Sequence, residues 1–161
     1  LGASEYYKMQ SEGSGSNAIL GNVPIVDAKK ATRLYNALSS AIEKGLVASA
    51  QPVALGGLGV AVAKKCIAGQ LGAEIDLRRV PSEGIERDDY LLFSESQSRL
   101  LVTVAPEVKA AFEKELLGTD FAEIGRIGGK SLVMSGLDGK KIINCSLPDL
   151  EESYKKTLRD Y

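Results

Sequence analysis

Ser49-Ala50-Gln51-Pro52-Val53-Ala54-Leu55-Gly56-Gly57-Leu58-Gly59-Val60-Ala61-Val62-Ala63-Lys64 is the stretch that decides the fold. The small and apolar run from Leu46 to Val53 predicts a buried strand. It breaks at Gly56-Gly57 and passes into an apolar helix over roughly 57–68. A strand turning through glycines into a helix leaves main-chain amides unobstructed by Cβ atoms at a helix N-terminus, where phosphate can bind. The loop lacks the Lys-Ser/Thr of a P-loop and the full glycine pattern of a dinucleotide loop. Two readings stay open from the residues alone, tight turning with close helix packing or contact with a phosphate.

Upstream, Asp27 can cap a helix in which Ala31, Leu34, Tyr35, Leu38, Ala41 and Ile42 recur at three and four, and Gly45 ends it. Residues 1–7 are small and aromatic. Residues 8–24, including Ser11-Glu12-Gly13-Ser14-Gly15-Ser16-Asn17, predict a loop. Residues 11–17 are expected to be less ordered than the core, since they offer little apolar area against the ~1–2 kcal/mol per residue of backbone ordering.

Downstream, Ala73, Ile75 and Leu77 alternate with Glu74, Asp76 and Arg78 as in a half-exposed strand. A short helix is expected in 86–92 and a strand over 100–104. Pro106 opens a further helix. Strands are expected over 121–127, 131–135 and 140–147, the last two joined by a turn at Asp138-Gly139. Pro148 begins a final helix with Leu150, Tyr154 and Leu158 on one stripe. The order α-β-α-β-(α)-β-α-β-β-β-α predicts an α+β fold, a mixed β-sheet covered by helices.

With 161 residues, 44% hydrophobic and 25% charged, the chain is expected to form a single domain over 1–161. It begins with Leu1, which suggests a piece of a longer polypeptide. A net charge of -1 gives no bulk field for nucleic acid or a membrane surface. No apolar run approaches the ~20 residues of a spanning helix. The absence of histidine removes the Ser-His-Asp triad, the Cys-His pair and histidine-ligated metals. Cys66 and Cys145 are expected to be buried, reduced thiols.

A second candidate segment, Ser94-Glu95-Ser96-Gln97-Ser98-Arg99, begins where apolar Leu91-Leu92-Phe93 stops. Hydroxyls, an amide, a carboxylate and a cation can orient a polar ligand, or cap and turn the chain. Of the acidic pairs, Glu74/Asp76 and Asp88-Asp89 could approach Mg²⁺ but read more simply as solvated faces. Glu151-Glu152 complements the dipole of the last helix. Tyr6-Tyr7 could stack on a base, and is expected instead to pack against the remainder of a parent protein.

Several segments together resemble one family: the opening Leu1-Gly2-Ala3-Ser4-Glu5-Tyr6-Tyr7, then Gly45-Leu46-Val47-Ala48-Ser49-Ala50, Gly56-Gly57-Leu58, Leu71-Gly72-Ala73-Glu74-Ile75-Asp76-Leu77 and Leu92-Phe93-Ser94-Glu95-Ser96-Gln97-Ser98-Arg99. The chain is similar to the C-terminal domain of the synthetase subunit of phosphoribosylformylglycinamidine synthase, in the second of its two aminoimidazole-ribonucleotide-synthase-like halves. That resemblance implies a mixed sheet with helices on both faces. It implies a parent ligase of the cytoplasm that amidates formylglycinamide ribonucleotide in purine biosynthesis. ATP and Mg²⁺ would serve that parent, with none bound tightly to this domain. The implied partners are an upstream N-terminal ATP-binding domain, the first half of the same enzyme and a glutaminase subunit or domain.

One departure matters. Where the family usually reads S-A-H-D-x-S-D/E-G-G-L-A-V-A-L-A-E, Gln51 stands for the histidine, Pro52 for the aspartate, Ala54 for the serine, Leu55 for the acid and Lys64 for the last glutamate. Ala54 and Leu55 cannot ligate Mg²⁺ or accept a proton. The resemblance therefore implies a half with no catalytic and no metal-ligating residue, in which Gly56, Gly57, Ser94, Glu95, Ser96, Gln97 and Arg99 remain of a duplicated phosphate or substrate site. A stand-alone phosphate- or nucleotide-binding module and a purely structural scaffold are the alternatives.

Overall fold

The computed structural model describes residues 1–14 and 23–156. Its elements run α1 (Glu5–Ser14), α2 (Ala28–Glu43), β1 (Ser49–Pro52), α3 (Gly57–Gly69), β2 (Ala73–Asp76), α4 (Asp88–Phe93), β3 (Leu100–Thr103), α5 (Lys109–Glu115), β4 (Gly125–Ile127), β5 (Ser131–Ser135), β6 (Lys141–Ser146) and α6 (Leu147–Lys155). Short 3-10 turns at Leu77–Arg79 and Pro106–Val108 follow β2 and precede α5. The order follows the expected one, with α1 added at the front.

The mixed sheet has strand order β4-β2-β5-β6. β2 and β5 run parallel, with Ala73 opposite Leu132 and Ile75 opposite Met134, while β4 and β6 join antiparallel at the edges. The Asp138-Gly139 turn closes the β5–β6 hairpin, with Gly139 at φ 79°. β4 is possible only because residue 125 is glycine: a Cβ there would lie 1.9 Å from the Glu74 carbonyl oxygen on β2.

β1 and β3 stand apart from that sheet as an antiparallel pair, Ser49 opposite Thr103 and Pro52 opposite Leu100. The strand expected to be buried over 46–53 is shorter, and of its four residues only Gln51 is even half-buried. A two-stranded ribbon has one neighbour to hide against, so only Val53 at its exit reaches the core.

α3 lies at the centre. Its Leu58, Ala61, Val62 and Cys66 share one core with Ala73 and Ile75 of β2, Leu132 and Met134 of β5, Leu91 and Leu92 of α4 and Leu147 of α6. Leu77, Met134 and Ala73 are completely enclosed. α2 begins as expected, the Asp27 carboxylate accepting from the amides of Lys29 and Lys30. It ends in a Schellman turn, the Gly45 amide bonding the Ile42 carbonyl and the Leu46 amide the Ala41 carbonyl.

Three expectations are corrected. Residues 8–14 belong to α1 and not to a loop over 8–24; residues 15–22, with part of the stretch 11–17 expected to be less ordered than the core, lie outside the described residues. Ser4 starts α1, its Oγ accepting from the Tyr7 amide at 3.3 Å. On α6 only Leu150 of the expected stripe packs against the core; Tyr154 is 59% exposed and Leu158 lies outside the described residues. Both cysteines are free, Cys66 buried but Cys145 only half-buried.

Candidate functional site

Gly56 and Gly57 both take positive φ, 82° and 68°, turning the chain out of the ribbon and into α3. The bend seats α3 directly on the chain after α4. A Cβ on Gly57 would lie 2.5 Å from the Leu92 carbonyl oxygen and 2.7 Å from that of Ser94. The glycine loop and the 94–97 segment are therefore in contact.

Their junction is a carboxylate. Glu95 Oε1 accepts from the Gly56 amide at 2.8 Å and from the Glu5 amide at 3.1 Å. One side-chain oxygen thus joins the glycine turn before α3 to the start of α1. The amide of Gly57 is taken too, by the Ala54 carbonyl at 2.9 Å. The phosphate expected at these amides meets an anion of the chain's own.

Around Glu95 the other candidates divide. Ser94 Oγ and Ser96 Oγ bond each other at 2.7 Å. Gln97 is exposed. Arg99, expected as the one cation near a ligand, turns inward: its guanidinium donates to the Ser94 carbonyl and, at 3.4 Å, to the Ser96 carbonyl. Burial pulls that guanidinium below the ordinary arginine value. Arg99 thus fastens the bend at Ser94–Ser96, while its own carbonyl accepts from the Val53 amide at 2.9 Å. Ser98 holds φ 61°, and the Tyr35 hydroxyl donates to its Oγ at 2.9 Å.

Tyr6 and Tyr7 make contacts within this chain. The Tyr6 ring stacks on Phe93 with centroids 4.8 Å apart, and its hydroxyl donates to Asp89 Oδ2 at 2.7 Å. The Tyr7 and Tyr90 hydroxyls lie 3.3 Å apart. The hydrogen bond to Asp89 raises the Tyr6 pKa, and the Arg87 guanidinium at 2.7 Å holds the Asp89 carboxyl below the usual carboxylate range.

The acidic pairs have structural work. Asp88 Oδ1 accepts from the Leu137 amide at 2.7 Å, clamping the β5–β6 turn to α4. Asp76 caps the 3-10 turn after β2 and pairs with Arg78. Glu151 pairs with Lys155. Among the described residues, no three Asp, Glu or Cys side chains gather into a metal-holding group. No helix among them is long and apolar enough to cross a membrane.

Sequence reasoning missed the α1–α4 contact and the Asp88 clamp. The one available signal was Ser4 as a cap ahead of Tyr6 and Tyr7; nothing in the spacing names partners 83 residues away in the first contact or 49 in the second.

Comparison with known proteins gives a consistent picture. The family model described as AIR synthase related protein, C-terminal domain, matches residues 1–135. The phosphoribosylformylglycinamidine synthase subunit PurL of Moorella thermoacetica is 35% identical over 163 residues, covering 98% of this chain and 20% of its own length. Its counterpart in Methanocaldococcus jannaschii is 32% identical over 154 residues, covering 96% and 20%. The chain thus spans about a fifth of the curated relatives it matches. Among solved structures, Thermotoga maritima PurL complexed with FGAR superposes with a TM-score of 0.71 at 25% identity, over 85% of this chain and 23% of that one. The same protein complexed with ATP gives 0.62 at 26% identity over 73% and 21%, and PurLQS from that organism 0.68 at 25% identity over 80% and 23%.

Proposed function

This chain belongs to the AIR synthase related protein family, matching its C-terminal domain, and from that premise we propose that it is the C-terminal domain of the second half of a phosphoribosylformylglycinamidine synthase. The whole enzyme would amidate formylglycinamide ribonucleotide with ATP in the cytoplasm, for purine biosynthesis. This domain shapes that enzyme and carries no chemical step of its own.

The observation that carries the second statement is the Glu95 carboxylate on the Gly56 and Glu5 amides. A helix N-terminus that already accepts a carboxylate has spent the donor a phosphate would need. Ala54 and Leu55 add no acid beside it, and Arg99 is committed to two main-chain carbonyls. This disfavours the reading as a stand-alone phosphate-binding module.

ATP and Mg²⁺ belong in this reading to other domains of the enzyme. A relative's complex with ATP supports nucleotide binding in the parent. The donor set of this chain does not fit a magnesium ion, since among the described residues no acidic cluster of three forms, and no step is routed through one here. An upstream N-terminal domain, the first half of the enzyme and a glutaminase are the expected neighbours; the PurLQS structure of a relative supports association with further components.

The test is turnover of the whole enzyme carrying this domain. Glu95→Gln or Ser96→Ala should leave ammonia-dependent product formation within about twofold. Loss of a group that stabilises a transition state costs about 10²–10³-fold, and a fall of that size would show that this half does chemistry.

A further inference from the structure

No residue of α1 from 5 to 12 is buried, and the helix adds nothing to the shared core. Glu5, Tyr6 and Tyr7 dock it on one stretch, residues 89–95. The Glu5 amide donates to Glu95, the Tyr6 ring stacks on Phe93 with its hydroxyl on Asp89, and the Tyr7 and Tyr90 hydroxyls pair. Ahead of the helix Ala3 stands at φ 58°, a left-handed conformation that an undocked chain is free to leave. An element held by so few buried apolar contacts belongs to the low end of local stability.

Two paths couple that docking to the glycine turn. Glu95 Oε1 is one: a single oxygen accepts from the Glu5 amide of α1 and from the Gly56 amide ahead of α3. When α1 leaves, that oxygen loses one of its two donors. The Phe93 ring is the other: Tyr6 stacks on it, and a Cβ on Gly59 of α3 would lie 3.7 Å from its Cε1. α4 itself keeps an anchor that does not involve α1, since Asp88 accepts from the Leu137 amide at the β5–β6 turn.

We propose that α1 is a detachable strap that locks the glycine turn. Docked, it holds Glu95 on the Gly56 amide and covers the Phe93 ring. Released, with the core intact, it bares that ring and loosens the hold of Glu95 on the turn. The coupling runs both ways, because one carboxylate serves both amides. The strap rests on the reading of Glu95 as the group that closes the turn. Turnover of the whole enzyme tests that reading and hydrogen exchange tests the strap, so either can fail alone.

The test is native-state hydrogen exchange of the chain, read from amide resonances at low urea concentrations and corrected for intrinsic rates. The Lys8, Met9 and Gln10 amides should exchange at least about 100-fold faster than that of Met134 in β5, with little dependence on urea. Tyr6→Ala should speed those α1 amides about tenfold and the Gly56 amide about threefold, with Met134 unmoved. Tyr6→Phe keeps the stack and loses the hydroxyl bond, so it should fall between Tyr6→Ala and the wild type. Glu95→Ala should speed the α1 amides about fivefold. α1 amides that exchange only together with Met134, at the same urea dependence, would overturn the proposal. So would a Gly56 amide unmoved in Tyr6→Ala, or α1 amides unmoved in Glu95→Ala. Should Tyr6→Ala fail to fold, the Gly56 amide in Tyr6→Phe and the α1 amides in Glu95→Ala give the same two readouts, and no change in either would overturn it.

Discussion

At Gly57 two constraints fall on one residue, a φ of 68° and carbonyl oxygens where a Cβ would sit. Gly45 shares the first, with φ 71°, but has nothing within 4 Å of a built Cβ. Gly45→Ala should therefore cost only the left-handed conformation, about 1–2 kcal/mol, while Gly57→Ala should exceed ~4 kcal/mol, because main chain cannot move aside as a side-chain tip can. Urea unfolding of both variants measures the difference; equal losses would mean that α3 does not sit on the chain after α4 as described. At Glu95 the issue is stranded donors. Glu95→Ala leaves two amides without an acceptor and should cost about 1–3 kcal/mol, with Glu95→Gln closer to the wild type because its carbonyl still accepts. The sequence showed that the 94–97 segment was polar and that the loop had lost its acids. It did not show that the remaining acid would turn back onto the glycine amide, because that contact needs β1, α3 and α4 already folded together.

α1 shows the same boundary between local and distant information at the scale of an element. Its composition, with Ser11, Gly13 and Ser14, favours a loop, and tertiary contacts override it: Tyr6 stacks on Phe93, and its hydroxyl meets Asp89. By contrast α2, β5 and the β5–β6 hairpin were legible because cap, period and turn residues lie within each segment. The α1 contact should depend on pH at both ends. Asp89 has a depressed pKa in the fold, so its contribution is present above the unfolded carboxylate value and is lost as pH falls through the lower folded one. Tyr6 has a raised pKa, so its contribution is present below the unfolded tyrosine value and is lost as pH rises through the higher folded one. Hydrogen exchange at residues 8–12 should be slowest between about pH 4 and pH 10 after correction for intrinsic rates. Tyr6→Ala should raise it across that whole window while the β5 amides stay protected. A variant with unchanged exchange would show that α1 is held by something other than this ring.

Across the whole molecule, the fold class and nearly every element could be read from periodicity, but the division into a four-stranded mixed sheet and a separate ribbon could not. Strand pairing depends on partners distant in sequence, and β1 with β3 is too short a pattern to announce its own sheet. The consequence for function is that the glycine loop, carried out of the ribbon at Val53, meets the segment after α4 and is closed there by Glu95. In the proposed reading as part of an ATP-dependent ligase the chemistry lies elsewhere in the enzyme, and this closure is the observation that supports it. The most direct measurement is ATP hydrolysis by the purified chain with Mg²⁺, ammonia and formylglycinamide ribonucleotide present. The expected result is no turnover above the protein-free rate, in the wild type and in Glu95→Gln alike. Turnover by the wild-type chain that disappears in Glu95→Gln would contradict it, by making Glu95 a participant in the reaction and not the group that closes the site.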